Sequence, residues 1–138
     1  MFNFTKNNKK ILEDPITNIA ALLIYAAKID ENYTNKEREM IKKAINELDP
    51  KAQNIEKILL KAEELEKNSN QILNFTKEVK NLDKNIKIKI IEILWKIIYS
   101  DNNPDMYENN LMRRLTGLLY LDPKVVGDIK EKVTNDLK

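Results

Sequence analysis

Two short loops hold the residues whose types and spacing could do chemistry. Each runs Asp, x, Asn, with a Glu seven residues after the Asp: IDENYTNKE, carrying Asp30 and Glu37, and SDNNPDMYE, carrying Asp101 and Glu108. Carboxylate and amide oxygens are hard ligands, so such a set favours calcium or magnesium over zinc or copper. Two such loops on one edge of a domain would bring Asp30, Glu37, Asp101 and Glu108 together as a metal site. An EF-hand is ruled out by ligand geometry. Asp101, Asn103 and Asp105 fill the first three ligand positions, but Met106 stands where the turn needs Gly and Met112 where a bidentate Glu belongs. Asn35 and Ile41 break the first loop in the same way. A structural role accounts for the same side chains. Thr34-x-x-Glu37 and Asp105-x-x-Glu108 are capping boxes, and Asp30 and Asp101 suit the turn out of the preceding helix. We give capping precedence over a cation site, because caps and turns are the ordinary work of such residues.

The elements that must position these loops are all helical. Apolar residues recur at helical spacing after Pro15, at Ile16, Ile19, Ala20, Leu23 and Ala27, and after Pro50, at Ile55, Ile58, Leu59, Ala62 and Leu65. The segment Ile86 to Tyr99 starts with strand-like alternation, but Asn85, Lys89, Glu92 and Lys96 form one polar stripe at spacings of four, three and four. That stripe predicts a deeply buried central helix with Trp95 in the core. Gln71 to Leu82, Tyr107 to Tyr120 and Lys124 to Leu137 complete the helical reading. The pairs Asp14-Pro15, Asp49-Pro50 and Asp122-Pro123 each predict a helix start, with Asp as cap and Pro in the first turn. Gly117, inside a helix, predicts close helix packing.

The sequence also repeats. Residues 3 to 45 align without a gap against 74 to 116, with ten identities that include NFTK at both starts, Leu23 against Leu94, Asp30 against Asp101 and Glu37 against Glu108. Leu48-Asp49-Pro50-Lys51 recurs as Leu121-Asp122-Pro123-Lys124. The expectation is an all-α, compact bundle of about seven helices built from two duplicated helical-hairpin units. Residues 1–14 form an N-terminal arm or short helix, and 15–138 the helical domain, with units of about 15–70 and 71–138.

Composition narrows the function. The chain has 138 residues, 42% apolar and 33% charged, one domain's worth of soluble protein. Its net charge of +2 gives no field that implies nucleic acid. Lys42, Lys43, Arg113 and Arg114 read as solvated or ion-paired rather than as a binding patch, since no aromatic residue is interleaved with them. With no Cys and no His, thiolate and imidazole catalysis and the usual zinc sites are excluded. Two glycines cannot build a phosphate loop. A carboxylate-only hydrolase has no accompanying pocket signal. The start MFNFTKNNKK lacks the order of a secretion signal, and the apolar run Ile19 to Ala27 is too short to span a bilayer. We expect a cytoplasmic protein with no transmembrane segment, compatible with peripheral membrane association.

The doubled pattern of apolar helix, Asp-led loop, Glu and apolar helix resembles the bacterial tellurite-resistance TerB family and its TerB-like relatives. The likeness is best in LWKIIYSDNNPDMYENNLMRRLTGLLYLDP, Leu94 to Pro123, and with the first unit covers most of the chain beyond Pro15. It implies a compact all-helical domain, also similar to the N-terminal region of a membrane-anchored DnaJ-type co-chaperone, with links to stress and tellurite resistance. It further implies metal binding at paired acidic residues, here Asp30, Glu37, Asp101 and Glu108. The expected function is a non-enzymatic module that binds a protein partner. The alternative is binding of calcium or magnesium through the acidic loops.

Overall fold

Apolar side chains at helical spacing must share a dry interior, and here two helices are buried around most of their circumference. The computed structural model describes residues 2–29, 33–69, 72–101 and 106–136, excluding the side chains of 2–14, 101 and 106–107. Seven α-helices follow in order: α1 Phe2–Lys28, α2 Asn35–Leu48, α3 Ile55–Lys67, α4 Leu73–Val79, α5 Lys84–Ile98, α6 Met106–Leu118 and α7 Pro123–Asp136. A 3-10 turn, Tyr99–Asp101, extends α5. Among the described residues there is no strand.

The two buried helices are α1 and α5. In α1, Ile19 to Ile24, Ala26 and Ala27 are all buried; in α5 the same holds for Ile90, Ile91, Ile93, Leu94, Trp95, Ile97 and Ile98. Helix α1 packs on α3 and α4, α5 packs on α7, and α1 and α5 also meet each other. The polar stripe read from the sequence is the outer edge of α5. On it Glu92 pairs with Lys96 at 3.3 Å, Lys89 at 3.8 Å and Lys132 of α7 at 3.8 Å. Burial pushes the Glu92 carboxyl up, but these lysines more than offset it and leave it below the usual range.

The proline rule holds at one pair. Helix α7 opens at Pro123, and the Lys124 N–H donates to Asp122 Oδ1 at 2.9 Å. At the other two pairs the expectation is corrected. Helix α1 runs through Pro15, whose fixed φ suits a helix and which forfeits a single N–H bond to the turn before it. Asp49 caps the end of α2, and the chain turns from Asp49 to Ala52 before α3 starts at Ile55. There Asn54 is the cap, accepting from the Lys57 N–H at 3.2 Å. Pro104 lies outside the described residues.

Candidate functional site

Helix α2 begins where the first loop ends, and its first turn spends Glu37 on capping. The Glu37 N–H donates to Thr34 Oγ1 at 3.1 Å, and the Thr34 N–H donates back to Glu37 Oε1 at 2.9 Å. The same oxygen accepts from the Thr34 hydroxyl at 3.2 Å. This is the reciprocal box expected from the sequence. Glu37 is buried, only 2% exposed, and Glu108, in the first turn of α6, is buried too; neither lacks a polar partner. Lys36 Nζ donates to the Ser100 carbonyl at 3.4 Å, so the start of α2 lies beside the end of α5, where the second loop departs. Asp30 lies outside the described residues. Asp101 closes the 3-10 turn, with its side chain outside the description. Among the described residues no three acidic side chains gather as metal ligands. The described part of the acidic set therefore does not by itself make a cation site: Glu37 Oε1 is already committed to two donors.

A charged network, missed by motif reading, fastens this end of α2 to α3. Arg38 bridges Glu63 at 2.9 Å and Glu56 at 2.7 Å, and Lys42 reaches Glu56 at 3.2 Å. The Tyr33 hydroxyl donates to Glu63 Oε2 at 2.8 Å. Burial and the Glu63 carboxylate together push the Tyr33 phenol well above its ordinary range. Arg38 and Lys42 hold Glu56 below the usual carboxylate range. Lys42 is thus an ion-paired surface residue, as its sequence context suggested.

Lys87 is the buried cation among the described residues. It sits inside the strand-like IKIKI stretch, yet α5 turns it inward, where Nζ donates to the carbonyls of Leu119 at 2.9 Å and Lys80 at 3.1 Å. Those carbonyls lie at the C-terminal ends of α6 and α4, which carry partial negative charge. One side chain thereby ties two helix ends to the central helix.

Beyond Lys87 the end of α6 turns outward. The Leu121 N–H bonds to the Thr116 carbonyl at 3.0 Å and the Tyr120 N–H to that of Gly117 at 3.2 Å, the double closure of a Schellman motif. The residue at its left-handed position is Tyr120, φ 57°, where glycine is usual. Tyr120 is 68% exposed and Leu73 of α4 is 46% exposed. With Leu118 and the stems of Lys77 and Lys80 they border a hollow of about 360 Å³. Lys80 Nζ stands 5.8 Å from the Tyr120 ring centroid. Gly117 is also corrected here: no described atom lies within 4 Å of where its Cβ would be, so close packing is not its role.

A family model described as tellurite resistance protein TerB matches residues 17–131. The chain belongs to the TerB family. No curated protein and no solved structure gives a significant match. The TerB match takes in both acidic loops, Lys87 and the Tyr120 turn. Among the described residues of this TerB-family chain, no helix is long and apolar enough to cross a membrane.

The α6 surface had one faint trace in the sequence. Tyr120 follows an apolar run and directly precedes Leu121-Asp122-Pro123, a helix-ending position where Gly or Asn is expected.

Proposed function

We propose that this TerB-family domain works by binding, without a catalytic step, and that a protein partner docks on the surface made by α4 and the end of α6. Tyr120 carries the reading. An aromatic residue held in the left-handed region costs roughly 1–2 kcal/mol, and the ring, mostly exposed with Lys80 Nζ 5.8 Å from its centroid, is placed on the surface rather than in the core. Outliers of this kind persist where a surface is used. Leu73 and Leu118 extend the apolar ground around the ring, and Lys77 and Lys80 edge it with positive charge. The partner that complements it presents an apolar side chain next to an acidic one. We further propose that such binding serves a cytoplasmic stress response, with tellurite, the agent that the family's description names, among the stresses. The test is a photo-crosslinking residue at position 120 in the native host, compared with the same group at Leu60 of α3. Recovery of one partner from position 120 alone, lost in Leu73→Asp, supports the reading; equal recovery from both positions removes it.

A second reading is favoured by the Lys36 to Ser100 contact, which joins the start of α2 to the end of α5. Asp30, Glu37, Asp101 and Glu108 would then hold calcium or magnesium between them. A saturable rise in melting temperature with either cation, abolished by Asp101→Asn, supports it. No rise at millimolar cation leaves capping as the whole account. We also infer that the two halves arose by duplication, from the matched positions of α2 and α6 in the repeat.

A further inference from the structure

On the other flank of α6, against α7, lies a separate cleft of about 550 Å³. That volume falls in the range of small-molecule sites. Trp95 of α5 lies at its base with Met112, Leu121 and Val126, all largely buried, and Arg113 and Lys130 stand on opposite walls. Three features accompany this cleft.

The first is an orphan donor. Trp95 is 4% exposed, and its indole Nε1 is buried with no acceptor among the described residues. Buried donors are normally satisfied, so one left over calls for an explanation. The second is the glycines. The chain has only two, Gly117 and Gly127, and both line this cleft from facing helices. Neither has positive φ, and neither has a described atom within 4 Å of its missing Cβ. Gly127 lies within α7, where glycine weakens a helix, and neither backbone freedom nor tight packing repays that. What the two share is the open space between them. The third is charge. Arg113 and Lys130 are the charged residues lining the cleft, and neither forms an ion pair with a described residue. Lys130 Nζ instead stands 5.2 Å from the Trp95 ring centroid.

We propose that this cleft binds a small amphipathic anion, an apolar chain or ring bearing one carboxylate. The apolar body lies on Trp95 between the two glycines, and the carboxylate faces Arg113 and Lys130, a planar fork and a point charge suited to it. This site is distinct from the Tyr120 surface, with which it shares Gly117 alone.

The full chain contains its own reporters, a single Trp for fluorescence and two Gly amides for NMR. Decanoate, titrated below micelle formation, is expected to shift the Trp95 indole, Gly117 and Gly127 signals saturably. Decylammonium, of equal chain length and opposite charge, binds at least about tenfold more weakly. The surface double variant Arg113→Gln/Lys130→Gln loses about tenfold in decanoate affinity while melting as the parent does. Gly127→Leu fills the space and abolishes the shifts. The proposal is overturned if decanoate produces no saturable shift, if decylammonium binds equally well, or if the shifts centre on Leu73 and Tyr120. The last outcome would mark the docking surface instead.

Discussion

Helices α2 and α6 begin at residues that the repeat aligns, Asn35 and Met106, and bury the same positions on the same side. Glu37 matches Glu108, Ile41 matches Met112, and Ala44 matches Leu115, each pair buried. The halves part at the helix that follows. In the first, α3 is fastened to α2 by Arg38, Glu56 and Glu63. In the second, the residue matching Arg38 is Asn109, and it lines the open cleft between α6 and α7. The central helices differ in the same sense. Where α1 has Ala20, Ala26 and Ala27, α5 has Ile91, Ile97 and Ile98. One pattern of burial thus supports an α2–α3 seam closed by ion pairs in one half and an open α6–α7 cleft in the other, because closing a seam depends on a few polar residues that the core does not constrain.

The matched leucines carry the largest losses. Leu23 and Leu94 are both fully buried. Each replacement by Ala should cost about 3 kcal/mol, and urea unfolding should stay a single transition by both Trp95 fluorescence and far-UV circular dichroism. Two separate transitions would mean that the halves hold separate cores.

Lys87→Met comes next. It leaves the carbonyls of Lys80 and Leu119 without their charged donor, and about 2 kcal/mol should be lost in the urea midpoint. A neutral outcome would show that water replaces the ammonium and that Lys87 does not fasten α4 and α6.

A smaller effect sharpens the contrast between the halves. Thr34→Ala removes the cap of α2 and should cost about 1 kcal/mol, whereas Asn109→Ala, on the open side, should change stability by less than about 0.5 kcal/mol. Equal losses would erase the distinction between sealed and open flanks.

The smallest effect is alkaline. Tyr33 has a folded pKa raised above the unfolded value of about 10. Its contribution is therefore complete below that pH and is lost as pH climbs toward the folded value. The fall in melting temperature above pH 10 should be shallower in Tyr33→Phe than in the parent. Identical slopes would place the alkaline loss with the lysines.

Much of the helical framework was legible because it rests on local rules. The stripe through Asn85, Lys89, Glu92 and Lys96 separated helix from strand in α5, and Thr34-x-x-Glu37 foretold a cap that the chain forms within one turn. Local rules failed where two uses of one residue compete. Pro15 suits a helix start and also the interior of a helix that can forgo one bond. Asp49-Pro50 suits a start as well as a stop, and Asn54 was the better cap. Of the acidic set, Glu37 was legible through its box with Thr34, since both partners lie three residues apart. The Arg38 network joins residues up to 30 positions distant, and no periodicity announces it.

What the sequence determined alone is the succession of helices and the inward face of each, since spacing and capping act over a few residues. It also determined the shortage of chemistry, because a chain without Cys or His cannot acquire them by folding. Tertiary structure decided which surfaces stay open. Lys87 turned inward because two helix ends came within its reach, Tyr120 stayed outward at the turn that ends α6, and both glycines came to face one cleft. Each of those outcomes depends on the distance between segments remote in the chain, a quantity that packing sets and that no local pattern encodes.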